Sequence, residues 1–266
     1  MSAIKNIKRK GFHIFKSVFK EKLIKELKKE VEKQPPSPQA GFFKNKRLDS
    51  KAVLNLQAKH PIFLKLLKNK IFKKINKELL NDKFYKSLNR KLPNYILSQY
   101  AARSAGKKKL VWHIDDKVPN KSNSPNYIQW AIPLINLDKS NGCTQVVAKS
   151  HQSGIYKPKL SKNNKPIDLQ LSKGDVAVWD GRIWHSARQN KSNKDRWVII
   201  ITFCKWFFKP HYDIPRSLPK KYYKNLDRDL KIILGFASIP KLSEKSGIVQ
   251  RGDLSSAKKF ISRGIF

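Results

Sequence analysis

The sequence predicts a mainly β protein with flanking helices, and three observations support this. Short apolar runs alternate with Gly, Pro, Asn and Asp turns between about residues 95 and 208, which is typical of strands joined by tight loops. All six tryptophans lie in this stretch, as expected of a packed core. The residues on either side follow helical periodicity instead. A chain of 266 residues can remove about 75% of its unfolded surface from water.

The composition excludes several classes of protein. Two cysteines, Cys143 and Cys204, are too few for a disulfide framework or a four-thiolate zinc site, and they suit a reducing compartment. The longest apolar run, around Trp197 to Phe203, is far shorter than the roughly 20 residues of a membrane span. The first 20 residues show no secretory signal. A cytoplasmic location is therefore expected.

The basic charge is open to three interpretations. The chain has 58 Lys and Arg against 19 Asp and Glu, a net charge of +39. Because the lysines are spread along the whole chain, a lysine-rich background composition is the interpretation we favour. An anionic membrane surface or anionic substrate is the second. Nucleic acid is the third and least favoured, since no RNA-binding aromatic motif, zinc finger or basic-zipper heptad is present. Nothing in the sequence indicates an oligomeric state.

Four segments with different patterns are predicted along the chain: a basic amphipathic helical segment at 1–35, a helical flank at 36–92, a β core at 93–215, and a C-terminal helix with a polar tail at 216–266. In the first, apolar residues recur every four positions from Phe15 to Val31, and Gly11 marks a break. This apolar stripe either packs on the main domain, which we favour, or contacts a membrane surface. The flank is predicted to hold helices at 49–59 and 61–82.

A His-x-Asp pair, His113 and Asp115, lies in a predicted strand at 109–115. Side chains two residues apart on a strand point to the same face, so the imidazole and the carboxylate are expected to project together. Such a pair alone is weak evidence, because it is common by chance.

A second histidine, His185, follows 72 residues later on another predicted strand. It comes just after Asp180-Gly181, a dipeptide that predicts a hairpin between the strands around it. Two histidines and one carboxylate can occupy one face of an octahedron and leave three positions open, which suits Fe(II). A closed structural zinc site would need a fourth protein ligand.

Arg196 lies eleven residues after His185, at the start of a predicted apolar strand. A guanidinium beside a metal can bind a carboxylate through two parallel hydrogen bonds. Taken singly, Arg196 is more simply a surface ion-pair residue and His113 a buried histidine. Taken together with the spacing, they indicate a metal site with an anion-binding arginine.

Three further motifs accompany these residues: Asn141-Gly-Cys-Thr-Gln-Val-Val-Ala-Lys-Ser-His151, Gly174-Asp175 before a strand, and the run from Leu226 to Phe236. With His-x-Asp, His185 and Arg196, they resemble the phytanoyl-CoA dioxygenase-like family of Fe(II)/2-oxoglutarate oxygenases. The resemblance covers about residues 95–237. Two positions depart from it: Ala148-Lys149 replaces the family's Pro-Gly, and Ala187 stands where many members have Ser.

The resemblance implies a double-stranded β-helix, a cupin-like jelly roll of two packed antiparallel sheets. It implies that His113, Asp115 and His185 bind Fe(II), and that 2-oxoglutarate chelates the iron with its far carboxylate on Arg196. Molecular oxygen would be the other co-substrate. Gln99, on the strand before His113, is a candidate amide donor to 2-oxoglutarate.

The activity implied by the resemblance is hydroxylation of a small-molecule, lipid-linked or carrier-linked substrate, with an anionic substrate as one alternative. Halogenating relatives replace the carboxylate found here as Asp115, so hydroxylation is favoured over halogenation. Two other functions stay open. One is a non-catalytic β-helix protein that keeps a metal for stability or binding, which the complete ligand set and Arg196 argue against. The other is a basic nucleic-acid-binding module, which a steep salt dependence of binding would favour.

Overall fold

The computed structural model describes residues 2–38, 50–81, 92–116, 118, 120–162 and 164–239, with Lys245, Leu254 and Ala257. Most of the predicted polar tail lies outside these residues. None of the described helices has the length and apolar character that a membrane crossing requires. The chain divides into two compact units, Met1–Leu54 with Tyr100–Ile201 and Asn55–Gln99 with Thr202–Phe266.

The helices and strands follow one another along both units. In chain order they are α1 (Ala3–Lys10), β1 (Phe12–Phe15), α2 (Glu21–Glu32), β2 (Lys51–Leu54), α3 (Pro61–Leu67), α4 (Lys70–Leu80), β3 (Tyr95–Ser104), β4 (Tyr127–Pro133), β5 (Thr144–Val146), β6 (Ile167–Leu169), β7 (Val176–Asp180), β8 (His185–Ala187), β9 (Trp197–Lys205), α5 (Ile214–Ser217), α6 (Lys220–Tyr223) and α7 (Arg228–Ile233).

The described strands form two sheets. The larger has the strand order β1-β7-β4-β9-β3-β2 and the smaller the order β6-β5-β8. The core of the first unit takes side chains from both, with Ala131 and Trp179 from the larger sheet and Val146 and Leu169 from the smaller. Strands that are distant in sequence therefore lie side by side, as in a jelly roll. The predicted double-stranded β-helix is confirmed.

The break predicted at Gly11 is present, but the helix expected to continue from there through Phe15 is wrong, since the chain forms β1 before the next helix begins at Glu21. Gly11 takes the left-handed conformation, with φ of 89°, and its N–H donates to the Ile7 carbonyl, which ends α1. The next four residues form β1, which pairs antiparallel with β7 and sets Phe12 opposite Trp179. A sheet edge offers unpaired backbone groups to any neighbouring extended segment, and here they outweigh the helical periodicity that includes Phe15.

Three of the four apolar residues of α2 are buried within the first unit. Ile24, Leu27 and Val31 have 0% of their surface exposed. Their spacing of three and four residues places them on one helical face, and the lysines of α2 lie around it. The stripe is therefore packed along this face of α2, as favoured from the sequence, whereas Phe15, Phe19 and Leu23 are partly buried.

The helical flank differs from its prediction at both helices. The helix predicted at 49–59 is wrong, because Lys51–Leu54 forms β2 and pairs with β3. The helix predicted at 61–82 is interrupted between α3 and α4. Asn69 causes the break by capping α4, where its side-chain oxygen accepts a hydrogen bond from the Ile71 N–H at 2.8 Å.

The second unit has its own apolar core. The helix α4 buries Phe72, Ile75 and Leu79 on one face. Tyr95 and Phe203, from β3 and β9, meet edge to face with ring centroids 5.5 Å apart. This unit thus combines the helical flank with the C-terminal helices, although the two lie far apart in sequence.

Lys149 occupies a backbone conformation that suits glycine, at the position where the resembled family has glycine. Its φ is 67°, and a left-handed conformation costs a residue with a Cβ about 1–2 kcal/mol. Glycine would remove this cost but would lose about 0.5–1 kcal/mol of chain entropy. We expect Lys149→Gly to raise the free energy of unfolding by up to about 1 kcal/mol in urea denaturation. Lys149→Ala keeps the strain and should give no gain, so an equal gain in both variants would contradict the explanation.

Candidate metal centre

The first unit brings His113, Asp115 and His185 together. The Nε2 atom of His185 lies 3.1 Å from Asp115 Oδ2, and the Nε2 atom of His113 lies 3.9 Å from Asp115 Oδ1. The three side chains can each offer one ligand atom within 4.8 Å of the others. Two imidazoles and a carboxylate at this spacing can bind one metal ion from the same side.

Backbone pairing between the two histidines sets their rings side by side. The regular strand predicted at 109–115 is wrong, since the segment meets β8 only through an isolated bridge of His113 to His185 and a hydrogen bond from the Leu110 N–H to the Ala187 carbonyl. The N–H of each donates to the carbonyl of the other at 3.0 Å. The ring centroids are 4.1 Å apart. The fixed backbone distance thus holds both ligands without a regular strand.

The Asp180-Gly181 turn joins two sheets, so the hairpin predicted there is wrong. β7 pairs with β1 and β4, whereas β8 pairs with β5. The Gly181 carbonyl accepts the N–H groups of Asp115 and Asp116 at 2.8 and 2.9 Å, which fixes the backbone of the carboxylate ligand. A Cβ at Gly181 would lie 2.7 Å from the Cβ of Tyr127, so this close approach requires glycine.

Both histidines present Nε2 to the carboxylate. The Nδ1 atom of His113 lies 2.8 Å from the Val111 carbonyl, and that of His185 lies 3.1 Å from the Ile183 carbonyl. A ring that donates through Nδ1–H to a carbonyl carries its lone pair on Nε2, where a metal can bind. The backbone therefore selects the tautomer that metal binding needs.

Gln129 is a site residue that the sequence reasoning missed. Its Nε2 donates to Asp115 Oδ2 at 2.7 Å. It lies on β4 opposite Trp179 of β7, whose ring centroid is 5.6 Å from that of His185. The available signal was one polar residue in the apolar strand Tyr127–Pro133.

We expect Gln129→Leu to weaken metal binding about tenfold, because the Asp115 carboxylate loses the donor that orients it. Anaerobic titration with Fe(II) measures the affinity. Gln99→Leu is the matched control, since it makes the same change on β3 without touching Asp115. An equal loss in both variants, or no loss in Gln129→Leu, would contradict the orienting role.

Burial and mutual attraction set the charges of the three ligands. Burial alone would raise the pKa of Asp115, but His185, His113 and Gln129 outweigh it and hold the pKa well below its usual range. Burial opposes a charge on His185, yet the Asp115 carboxylate prevails and raises the pKa of that histidine. Burial and the neighbouring His185 lower the pKa of His113. Without metal, the site therefore favours an Asp115–His185 ion pair and a neutral His113.

We expect metal affinity to fall as the pH is lowered through the raised pKa of His185. A metal needs the neutral imidazole, so it must displace the proton that Asp115 helps His185 to retain. Above that pKa no proton is displaced and the affinity should level off. Anaerobic Fe(II) titration at several pH values measures the dependence, and proton release measured in weak buffer checks the cause. An affinity that rises as the pH falls would contradict it.

Arg196 is a buried guanidinium without an anionic partner among the described residues. It lies directly before β9 and is 5% exposed. One Nη donates to the Gly142 carbonyl, whereas Nε has no acceptor. Burial lowers its pKa to about 10. Because a buried charge is costly unless it is paired, this geometry fits a ligand that supplies a carboxylate.

Two other residues predicted to matter for co-substrate binding are Gln99 and Ala187. Gln99 lies on β3 in the second unit and is partly buried, so its contact with a co-substrate stays a prediction. Ala187 replaces the family's serine. The nearby hydroxyl of Ser186 donates to the Leu110 carbonyl at 2.5 Å and is therefore already engaged.

Two relatives illustrate the similarity to other sequences. An uncharacterized protein of Mycobacterium tuberculosis is 40% identical over 83 residues, which cover 30% of this chain and 29% of that protein. Dioxygenase af480 of Aspergillus fumigatus is 25% identical over 178 residues, which cover 63% of this chain and 54% of that protein. The matched regions thus span about half or less of these relatives.

Solved structures share the fold. HygX from Streptomyces hygroscopicus, solved with nickel, 2-oxoglutarate and hygromycin B, has a TM-score of 0.62 and 16% identity, over 78% of this chain and 88% of HygX. SnoN, a non-heme alpha-ketoglutarate-dependent epimerase from nogalamycin biosynthesis, has a TM-score of 0.59 and 15% identity, over 76% of this chain and 82% of SnoN.

A family model spans most of the chain. The model described as phytanoyl-CoA dioxygenase matches residues 7–198, which include His113, Asp115, His185 and Arg196. The match begins well before the region of resemblance found from the motifs, which starts at about residue 95. It therefore also includes β1 and α2. The chain belongs to the phytanoyl-CoA dioxygenase family.

Proposed function

We propose that the protein is an Fe(II)- and 2-oxoglutarate-dependent dioxygenase that hydroxylates a small-molecule, lipid-linked or carrier-linked substrate. The observation that carries the proposal is the convergence of His113, Asp115 and His185 into a set of two imidazoles and one carboxylate. Family membership supports it, as does the fold shared with HygX, whose structure contains nickel and 2-oxoglutarate.

Each site residue has a defined part in this activity. His113, Asp115 and His185 would hold the iron from one side and leave the other side for co-substrate and oxygen. When bound, the iron activates oxygen at the expense of 2-oxoglutarate and makes hydrogen removal from the substrate possible. Gln129 orients the Asp115 carboxylate. Arg196 would bind the far carboxylate of 2-oxoglutarate in a buried position, where water competes little for the contact.

The test is a spectroscopic titration. Fe(II) and 2-oxoglutarate added together without oxygen should give the weak visible absorption band of an iron-chelated keto acid. Admission of oxygen should then consume 2-oxoglutarate and release succinate. Folded protein that gives no band with saturating reagents would contradict the proposal. A band without any succinate would favour the non-catalytic metal-binding alternative.

The type of reaction needs its own measurement. SnoN, which shares the fold, is an epimerase, so this fold is compatible with more than one outcome. We propose hydroxylation because the carboxylate that halogenating relatives replace is present here as Asp115 in the candidate ligand set. A halide would therefore have no position left open by a missing carboxylate. Incorporation of labelled dioxygen into the product would identify a hydroxylase, whereas an epimerase product would carry no label.

The substrate and setting are part of the same proposal. The hygromycin B bound in HygX supports a small-molecule substrate as a class. Both cysteines are buried and outside any disulfide, which supports a reducing, cytoplasmic setting. Nucleic acid remains the alternative partner for the charge of +39. Its test is binding with a steep salt dependence, and no described feature favours it.

A further inference from the structure

The large apolar side chains that are exposed concentrate in two segments of the first unit. Among the described residues, all but one of them lie within residues 110–118 and 155–167, which we call the rim segments. They are Leu110, Val111, Val118, Ile155, Tyr156, Leu160 and Ile167, with Val111 75% and Tyr156 58% exposed. Exposed apolar groups that cluster in this way mark a surface that contacts something other than water.

Lysines lie among or beside most of these apolar residues, and the acids of the rim segments are Asp115 and Asp116, between Val111 and Val118. Residues 107–111 read Lys-Lys-Lys-Leu-Val and residues 155–167 read Ile-Tyr-Lys-Pro-Lys-Leu-Ser-Lys-Asn-Asn-Lys-Pro-Ile, without Asp or Glu. The lysines of both stretches are exposed. Elsewhere lysines of the first unit are often paired with acids, as Lys16 is with Asp175. The stretches 107–111 and 155–167 therefore combine protruding apolar groups with lysines that have no acidic partner among the described residues.

The rim segments border the candidate metal centre. The Val111 carbonyl holds the Nδ1 atom of His113 at 2.8 Å. The Ile155 carbonyl lies 3.4 Å from the indole nitrogen of Trp184, the residue before His185. Just outside both segments, a Cβ at Gly154 would lie 2.9 Å from Cγ of Lys121, so the two loops approach each other there. The exposed surface formed by the two segments thus lies beside the candidate metal ligands.

We propose that this surface docks on an anionic lipid bilayer. Single apolar side chains on loops can enter the boundary between headgroups and acyl chains, while the lysines between them reach the lipid phosphates. An anionic headgroup layer has the charge opposite to that of the rim segments. The apolar groups protrude from separate loops, which suits a soft planar surface better than the pockets and fixed anchors of a protein interface.

Docking would bring the candidate metal centre close to the bilayer. Among the small-molecule, lipid-linked and carrier-linked substrates proposed above, docking would favour a lipid-linked one. This inference about the substrate rests on the proposed function. The docking itself does not, because it needs neither metal nor co-substrate. The proposed surface does not include α2, whose residues Ile24, Leu27 and Val31 are buried.

The experiment is flotation of the full chain with lipid vesicles. Neutral vesicles contain phosphatidylcholine alone, and anionic vesicles also contain phosphatidylglycerol. The rim variant is K157Q/K159Q/K162Q, and the matched control is K20Q/K22Q/K29Q on and before α2, which removes the same charge from exposed lysines elsewhere in the first unit. A third variant, Y156S/L160S, removes apolar groups and keeps the charge. Thermal denaturation tests whether each variant is folded. If Y156S/L160S does not fold, the single variant Tyr156→Ser is used in its place.

The unmodified chain should bind anionic vesicles, bind neutral vesicles weakly, and dissociate as salt is raised. Each lysine near an anionic surface contributes up to about fivefold to partitioning, so the rim variant, which loses three lysines, should bind about 10- to 100-fold more weakly. The control should keep its binding, and Y156S/L160S should lose a large part of it.

Three results would overturn the proposal. The first is failure of the unmodified chain to bind anionic vesicles. The second is an equal loss in the rim variant and the control, which would show attraction by overall charge. The third is binding that depends on the rim lysines but not on Tyr156 and Leu160, which would indicate an acidic protein or another polyanion as the partner.

Discussion

Asp115→Ala is expected to lose nearly all iron binding and, with it, the absorption band of the chelated keto acid. Asp115 supplies the only carboxylate in the candidate ligand set. Its loss removes a ligand and also the negative charge that offsets the metal's charge. The effect should exceed the 10- to 100-fold loss that is usual when an outer partner of a metal ligand is removed. The 2-oxoglutarate-dependent release of succinate should cease with it.

The fold should tolerate this substitution. The Asp115 side chain is 22% exposed and contributes no apolar packing, and its backbone contact to Gly181 remains available to alanine. Asp116→Asn is the matched control, because Asp116 also bonds to Gly181 through its N–H while its side chain accepts from the Val118 N–H at 2.9 Å. The control should keep iron binding and the band. Full iron affinity in Asp115→Ala, with an unchanged thermal midpoint, would exclude Asp115 as a ligand.

The sequence grouped His113, Asp115 and His185 as candidate ligands, and the structure brings them together for a different reason than the one expected. The expectation relied on a strand that would carry His113 and Asp115 on one face. The structure instead uses a two-residue bridge to His185 and the carbonyl of Gly181. Residue type and spacing therefore predicted which side chains come together, whereas the predicted strand conformation was wrong. Contacts to residues distant in sequence, not local strand structure, hold this segment in place.

The pairing of the strands could not be predicted from the sequence, because it depends on contacts between residues far apart along the chain. Asp180-Gly181 favours a tight turn, but turn preference alone says nothing about which sheet each flanking strand joins. β1 likewise follows from the sheet edge offered by β7, more than 160 residues away along the chain. Phe15 alone fits either a helix or a strand, so the apolar pattern around it could not show that this segment forms β1.

The two glutamines show the same limit at the site itself. Gln99 and Gln129 both lie on predicted strands, and alternation alone gives each an equal chance of facing the metal. Register across β4 and β7 decides the question for Gln129, because it sets this residue opposite Trp179 and beside the ligands. Register is a property of paired strands, so one strand read alone leaves it open.

Arg196→Lys is expected to weaken 2-oxoglutarate binding about 10- to 100-fold while iron binding changes little. One charge-assisted hydrogen bond is worth about 1.5–3 kcal/mol, which corresponds to this loss. An ammonium group is a point charge and lacks the planar pair of donors that fits a carboxylate. It also lacks an Nε–H, the buried donor of Arg196 that has no acceptor in the described structure. The affinity is measured by anaerobic titration of 2-oxoglutarate into the iron-loaded protein, through the visible band.

Arg188→Lys provides the matched control for this prediction. Arg188 lies eight residues earlier, is paired with Asp168 at 2.6 Å and has a side chain 40% exposed, so its positive charge is already satisfied on the protein. The same substitution there should leave 2-oxoglutarate affinity unchanged. If both variants bind 2-oxoglutarate as tightly as the unmodified chain, Arg196 has a structural role through the carbonyl of Gly142. Loss in Arg196→Lys alone, with iron affinity retained, assigns its buried, unpaired guanidinium to the co-substrate carboxylate, because burial makes that charge costly until a carboxylate pairs with it.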